Sequence, residues 1–484
     1  MEEWSNVNAG ADTDEHPREA CGVFGVYAPG QSVAHLTYDG LYALQHRGQE
    51  SAGMAVADGV DIVVIKDMGL VTNVFNEYKL ASLQGHVAAG HTRYSTSGSS
   101  TWHNAQPVYR SLDATGFALG HNGNLTNTEA LAAEAGMLPG VVGSDSDLIA
   151  ELLANHLEGH PEADLVDALR GVLPTLAGAF SLVLIDHNRL IGVRDPNGFR
   201  PLCLGRLGER GWVLASESPA LDVIGATFVR ELDPGEMLVI DGDEHESLAP
   251  FPAERIDPKL CIFEFVYLAR PDSRLYGAEL HGVRRRMGEL LAATAPVEAD
   301  MVMGVPDSAI PAAEGYAQAS GIPYGQGLVK NRYIGRTFIA PDQRERDQGV
   351  RRKLNPLRDT IAGKRLVVVD DSIVRGTTTR AVVRMLREVG AVEVHLRISS
   401  PPYRWPCFYG LDTGTRGELI AAGLSVDEVR DYVGADSLAY LSLDALERSI
   451  GVPGAGFCNA CLTGDYPVDV PVTLSKGVLE PTSV

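Results

Sequence analysis

Positive charge is scarce in this chain. Lys and Arg number 41 against 63 Asp and Glu, a formal net charge of −22. That balance excludes a general affinity for nucleic acid or an anionic membrane, because such binding needs a basic face. Short basic segments can still bind phosphate. No uninterrupted apolar run reaches the roughly 18 residues that a membrane-spanning helix needs. The first twenty residues carry Glu2, Glu3, Asp12, Asp14, Glu15 and Glu19 and lack an apolar core, which excludes an ordinary secretory signal. Cysteine is sparse as well. Six residues, at 21, 203, 261, 407, 458 and 461, are too few and too scattered for a disulfide framework. They fit a reducing cytoplasm in which some thiols bind metal or do chemistry. There is no internal repeat and no low-complexity tract.

What is present suits a soluble globular protein of two or three domains. The chain has 484 residues, with 45% hydrophobic and 21% charged content. Residues 1–20 read as a disordered or removable leader. From 21 to about 240, short β-rich runs ("GVFGVYA", "FSLVLID", "GWVLASE", "EMLVI") alternate with helical stretches such as "SDLIAELLANHLEG", the pattern of sheets with helices packed on them. The polar, proline-bearing segment 241–258 is expected to be the domain boundary, dividing a domain at 21–250 from one at 251–484. Beyond it, the strands "DMVMGV", "RLVVVDD" and "VEVHLRI" alternate with helices. "RAVVRMLREVG" sets Val382, Met385, Leu386 and Val389 on one helical face before Gly390. Continuous apolar strands followed by amphipathic helices predict a parallel sheet covered on both faces.

The stretch "RLVVVDDSIVRGTTTR", 365–380, carries the most chemistry. Asp370 and Asp371 stand at the carboxyl end of a buried strand, where open α/β sheets bind ligands. Gly376 allows close backbone approach, and Thr377, Thr378 and Thr379 offer hydroxyl and N–H groups at a helix N-terminus, a cradle for phosphate. Adjacent carboxylates repel unless a cation or hydroxyls sit on them; Mg²⁺ and a ribose diol would serve. An ordinary Asp-Asp-Ser helix cap is the plainer reading, but a cap does not need two acids followed by Arg-Gly-Thr-Thr-Thr. The stretch resembles the phosphoribosylpyrophosphate signature of type I phosphoribosyltransferases. The resemblance implies that Asp370 and Asp371 meet the ribose hydroxyls, and that Ser372, Arg375, Gly376 and Thr377 to Thr379 take the 5-phosphate. It also implies that Ser308, in "GVPDSA", joins Asp370 and Asp371 in holding Mg²⁺. The basic loop from "LVKNRYIGRTF" to "GVRRKLN" is either a solvated surface or a lid. As a lid it would set Lys330, Arg336, Arg351 and Arg352 against pyrophosphate once water is excluded.

Cys21 follows the acidic leader directly. After it come "LQHRGQESAGMAV" (44–56), "GHTRYSTSG" (90–98), "LGHNGNLTN" (119–127) and "GSDSDLIAELL" (143–153). Each is weak alone, since His, Asn and Gly in loops are usually turn residues. Together they resemble class II glutamine amidotransferases, which are N-terminal nucleophile hydrolases. A thiol with a pKa of about 8.5 is mostly protonated at neutral pH, and a freed α-amino group is a suitable base. The resemblance thus implies leader removal, with Cys21 as nucleophile and Arg93 on the glutamine α-carboxylate. It also places Asp145 on the α-ammonium, with Asn122 and the N–H of Gly123 as oxyanion donors.

Cys458 and Cys461, in "CNAC", have half of a metal-site spacing. With Cys261 and Cys407 they could form a zinc or an iron–sulfur site, or be unrelated buried thiols; spacing does not separate these. Cys203 sits in an apolar context and reads as structural. From Cys21 to about Pro467 the chain resembles the glutamine phosphoribosylpyrophosphate amidotransferase family, in particular its leader-containing, iron–sulfur branch. The implied fold is an N-terminal-nucleophile αββα sandwich followed by a parallel-sheet type I phosphoribosyltransferase domain. The implied activity is glutamine-dependent conversion of phosphoribosylpyrophosphate to phosphoribosylamine, glutamate and pyrophosphate, the opening step of de novo purine synthesis. The branch further implies Mg²⁺, a structural 4Fe–4S cluster on Cys261, Cys407, Cys458 and Cys461, a homotetramer and feedback inhibition by purine nucleotides. Two rivals are a glutaminase joined to sugar isomerisation and a phosphoribosyl-binding regulator. "VVVDDSIVRGTTT" counts against the first. The joint presence of Cys21, Arg93, Asn122 and Asp145 counts against the second.

Overall fold

A computed structural model of the chain describes residues 21–95, 99–112, 116–138, 140–331, 351–411, 413, 415–452 and 454–470. The leader and Arg336 therefore lie outside the described residues.

Two antiparallel sheets make the first domain. Seven strands run in the order Thr227–Glu231, Cys203–Leu207, Gly211–Ala215, Gly22–Tyr27, Val87–Arg93, Ser51–Ala57, Ile62–Met68. Six run in the order Glu244–Leu248, Met237–Asp241, Arg189–Arg194, Gly178–Ile185, Gly116–Leu125, Val108–Ser111. Three apolar clusters fill three interlayer spaces. Val23, Ala55 and Ala89 of one sheet meet Val183, Leu190 and Ile240 of the other. Phe24, Val26 and Met54 face the helix Val33–Ala43, and Phe180, Leu182 and Ile191 face the helices Asp145–Gly159 and Leu165–Val172. Alternate residues of one strand thus enter different cores, as the two-residue period of a strand requires. The result is a four-layer αββα sandwich.

In the second domain, Met301–Gly304, Arg365–Asp370, Glu393–Ile398 and Ser437–Tyr440 form a parallel sheet. Val367 and Val369 pack toward the helices Leu280–Thr294 and Ile310–Ser320. Leu366 and Val368 pack toward Thr377–Glu388 and Val426–Val433. Both faces are covered, which is why the strand sequence is continuously apolar. Leu328–Lys330 pairs with Leu354–Pro356 at the base of the basic loop. No helix among the described residues is long and apolar enough to cross a membrane.

The segment 241–258, expected to hold the boundary, opens on a strand of the first domain. Its first residues are not a linker: Glu244–Leu248 pairs with Met237–Asp241 as the outermost strand of the six-stranded sheet. The polar composition reflects a solvated edge strand, which resists further pairing. Ser437–Tyr440, a fourth parallel strand that the sequence reading did not assign, closes the other sheet.

Candidate active sites and a thiol cluster

Cys21 immediately precedes the strand Gly22–Tyr27 and is almost completely buried. Its Sγ donates to the Tyr94 carbonyl at 3.2 Å and accepts from the Tyr94 N–H at 3.4 Å. Burial pushes the thiol up to about 11, with the Tyr94 backbone and the Arg93 charge opposing. A thiol so placed is neutral at pH 7 and needs a base. Cys21 lines one small cavity with Arg93, Gln106, His121, Gly123, Ser144 and Asp145. Distant segments therefore converge on it. Arg93 ends the strand Val87–Arg93, and Asp145 opens the helix that Ser144 caps. Burial would raise the Asp145 carboxyl, but His121 and the N–H groups of Leu125 and Ser146 hold it below the usual range. An ionised carboxylate facing an arginine across one cavity suits the two charged ends of an amino acid.

Asn122 is fully buried, and both its amide atoms lack a hydrogen-bond partner among the described residues. Leaving such a group unpaired costs roughly 1–3 kcal/mol, so a donor held this way is poised for a group that arrives later. Gly123 follows it. A Cβ there would come within 2.0 Å of the Ala179 carbonyl oxygen, so only glycine fits.

In the second domain, Asp370 ends its strand and accepts the Asp371 N–H at 3.0 Å. Asp371 accepts Ser372 Oγ at 2.7 Å and also the Ser308 hydroxyl. Ser308 and the two acids are thus brought together, in a hard oxygen donor set suited to Mg²⁺. Gly376 caps the helix Thr377–Glu388 at φ +79°, a left-handed conformation in which glycine is unstrained. Arg375 is ion-paired with Glu418 at 2.6 Å. Lys330 pairs with Asp307 at 2.8 Å, and Arg351 with Glu388 on the surface. Two of the lid cations, Lys330 and Arg351, are thus held by acids, and Lys330 is tied to the segment that carries Ser308.

The four remaining candidate thiols also converge. Cys261 and Cys458 are direct neighbours in a short parallel ladder. Cys461 lies on the next turn, and its carbonyl accepts the N–H groups of Arg404 and Trp405 at 3.0 Å, holding the chain that leads to Cys407. Burial raises Cys461 strongly, and Cys407, Cys261 and Cys458 raise it further. Among the described residues no three Cys, His, Asp or Glu side chains close tightly enough to grip a single metal ion. The buried Arg200 guanidinium sits beside Cys261 and Cys407, where it would offset thiolate charge. Four buried or half-buried thiols beside one buried guanidinium are a donor set that either zinc or an iron–sulfur cluster can use. Cys203 is separate, buried in a core and donating to the Ala215 carbonyl at 3.2 Å.

The sequence reading missed a buried ionic network between the domains. Arg47 donates to Glu217 at 2.8 Å, to Glu264 at 2.8–3.0 Å, and through Nε to the Cys21 carbonyl at 3.4 Å. Arg200 donates to Glu264 at 3.2 Å and to the Tyr409 carbonyl at 2.8 and 3.1 Å. Glu217 lies well below the usual carboxylate range; burial opposes this, and His46 and Arg47 outweigh it. Arg47 stands inside the quoted segment "LQHRGQES", so its position was visible while its partners were not.

Comparison with known proteins supports both halves. Residues 91–223 match a glutamine amidotransferase domain family, and 275–399 match a phosphoribosyl transferase domain family. The chain is 55% identical over 479 residues to a Mycobacterium tuberculosis protein named amidophosphoribosyltransferase, covering 96% of this chain and 90% of that one. A Bacillus subtilis protein of the same name is 46% identical over 457 residues, covering 93% and 95%. A solved B. subtilis glutamine phosphoribosylpyrophosphate amidotransferase, described as complexed with ADP and GMP, superposes with a TM-score of 0.87 at 44% identity. It covers 95% of this chain and 100% of that one. A structure described as the allosteric regulatory enzyme of purine biosynthesis gives 0.88 at 44% identity, covering 96% and 100%.

Proposed function

This chain belongs to the amidophosphoribosyltransferase family, and from that premise we propose which of its residues do the chemistry. The reaction converts phosphoribosylpyrophosphate, glutamine and water to 5-phosphoribosylamine, glutamate and pyrophosphate, the first step of purine biosynthesis. Cys21 attacks the glutamine carboxamide carbon, ammonia leaves, and water cleaves the resulting thioester. Arg93 and Asp145 hold the amino acid ends of glutamine, and Asn122 and Gly123 stabilise the tetrahedral oxyanion. Asp370, Asp371 and the loop Ser372–Thr379 hold the phosphoribosyl group. Ser308, Asp370 and Asp371 would hold Mg²⁺, which would supply positive charge against the pyrophosphate leaving group. Lys330 and Arg336 belong to the lid.

The observation that carries this reading is Asn122, whose fully buried amide has no partner among the described residues and which directly precedes Gly123, a lining residue of the thiol cavity. Removal of residues 1–20 would free the α-amine that a thiol raised to about 11 requires. Cys261, Cys407, Cys458 and Cys461 would hold a 4Fe–4S cluster with a structural role. Regulation by purine nucleotides is supported by the ADP and GMP in the related structure's description. A homotetramer in the cytoplasm completes the reading. The test is pyrophosphate release measured in parallel with glutamine and with ammonium: both should support it, and glutamate should form only with glutamine. Release without dependence on either nitrogen source would overturn the assignment.

A further inference from the structure

A stretch of the second domain beds directly against the oxyanion donor of the first. Asn124 Nδ2 donates to the Phe408 carbonyl at 3.0 Å. Both Nε and Nη2 of the buried Arg200 hold the Tyr409 carbonyl, and Phe199 stacks on the Tyr409 ring at 4.4 Å between centroids. Gly410 follows at φ +105°, and a Cβ on it would lie 3.3 Å from the Gly123 carbonyl carbon. On the other side of Gly123 lies the Ala179 carbonyl. The Gly123 peptide is thus packed between the Gly178–Ile185 strand and Gly410. The same Arg200 accepts Ser181 Oγ on its own carbonyl at 3.0 Å, and Ser181 is the ladder partner of Asn122. One arginine therefore fixes the far side of both oxyanion donors.

We propose that Phe408, Tyr409 and Gly410 are a positioning element for the oxyanion hole, so that the glutaminase site is completed by backbone from the other domain. The inference rests on the glutaminase roles assigned above to Cys21, Asn122 and Gly123. An N–H donor stabilises the developing oxyanion only if it stands where the charge appears, and displacements near 1 Å can cost about 100-fold. Contacts of these residues run to Asn124, Phe199, Arg200 and Gly123 on one side and to Cys407 and Tyr466 on the other.

The test uses Gly410→Ala, which presses a methyl on both Arg200 and the Gly123 peptide, and Asn124→Ala, which removes the Phe408 bond without adding atoms. Each would be compared with the parent for glutamine kcat and KM, ammonium-dependent phosphoribosylamine synthesis, and alkylation of Cys21 by iodoacetamide. Alkylation uses the thiol but no oxyanion donor. The expected result is a glutamine kcat lowered about 10- to 100-fold in Gly410→Ala and several-fold in Asn124→Ala. KM, alkylation and ammonium-dependent synthesis should stay within about twofold of the parent. Equal losses of glutamine- and ammonium-dependent activity would overturn the proposal, as would a parallel fall in alkylation or an unchanged kcat in both variants. If the parent itself hydrolysed no glutamine, the glutaminase reading would fail instead.

Discussion

Arg47 of the first domain grips Glu264 of the second in a forked contact at 2.8–3.0 Å, and both side chains are buried. Arg200 shares the same carboxylate. Glu264→Gln would leave two buried guanidinium groups with Glu217 as the remaining carboxylate of the network. Breaking a buried pair typically costs about 3–5 kcal/mol. Chemical denaturation should show a clearly lower midpoint for this variant, and an unchanged midpoint would mean the network contributes nothing to the domain junction.

Cys21→Ala should abolish glutamine hydrolysis while sparing synthesis from ammonium at alkaline pH, where free ammonia is available. The phosphoribosyl site needs only ammonia at the sugar carbon, and Asp370, Asp371 and Ser308 stay in place. Loss of both activities in a folded protein would assign Cys21 to the transfer step itself.

Asp371→Asn should behave oppositely. It removes the carboxylate that accepts both Ser308 and Ser372, so transfer should fall by at least about 100-fold with either nitrogen source. Near-normal turnover with ammonium would show that the sugar binds elsewhere.

His91 makes stability acid-sensitive. Its Nε2 pairs with the His121 carbonyl at 2.9 Å, which requires a proton there, and its buried Nδ1 has no partner among the described residues. Burial therefore lowers its pKa from 6.5 to about 3. The neutral ring's contribution is complete above the unfolded value of 6.5 and is lost as pH falls toward 3, because the unfolded chain takes up the proton first. The loss is about 1.4 kcal/mol per pH unit between pH 6 and 4. Urea midpoints across that window should fall less steeply in His91→Gln; parallel slopes for variant and parent would contradict the assignment.

Protein purified without oxygen should carry iron and sulfide in a ratio near four each per chain. Stoichiometric zinc without iron would refute the cluster. Cys407→Ser should lose the iron and lower the unfolding temperature, since Cys407 ties Tyr409 to the core that holds Cys261 and Cys461.

The parallel sheet was legible because its information is local. Three consecutive valines, two acids and a glycine-threonine turn specify strand, strand end and helix start within sixteen residues. Cys21, Arg93, Asn122 and Asp145 were legible as motifs, and the fold then brought Cys21, Arg93, Gly123 and Asp145 to one cavity. Arg47 was not, because its carboxylate partners lie 170 and 217 residues away and no spacing rule reaches so far. The edge strand Glu244–Leu248 escaped notice because a solvated strand carries the composition of a loop.

The bedding of Gly410 on Gly123 also sets an order of events on the ribosome. The sandwich is complete in sequence at Leu248, whereas Gly410 is made about 160 residues later. At about 5–20 residues per second, that separation is roughly ten to thirty seconds of synthesis. During this interval a nascent first domain has its thiol and its arginine but not the wall behind its oxyanion donor. On the positioning role proposed above, the Gly123 peptide gains its backing only once residues 408–410 have been made.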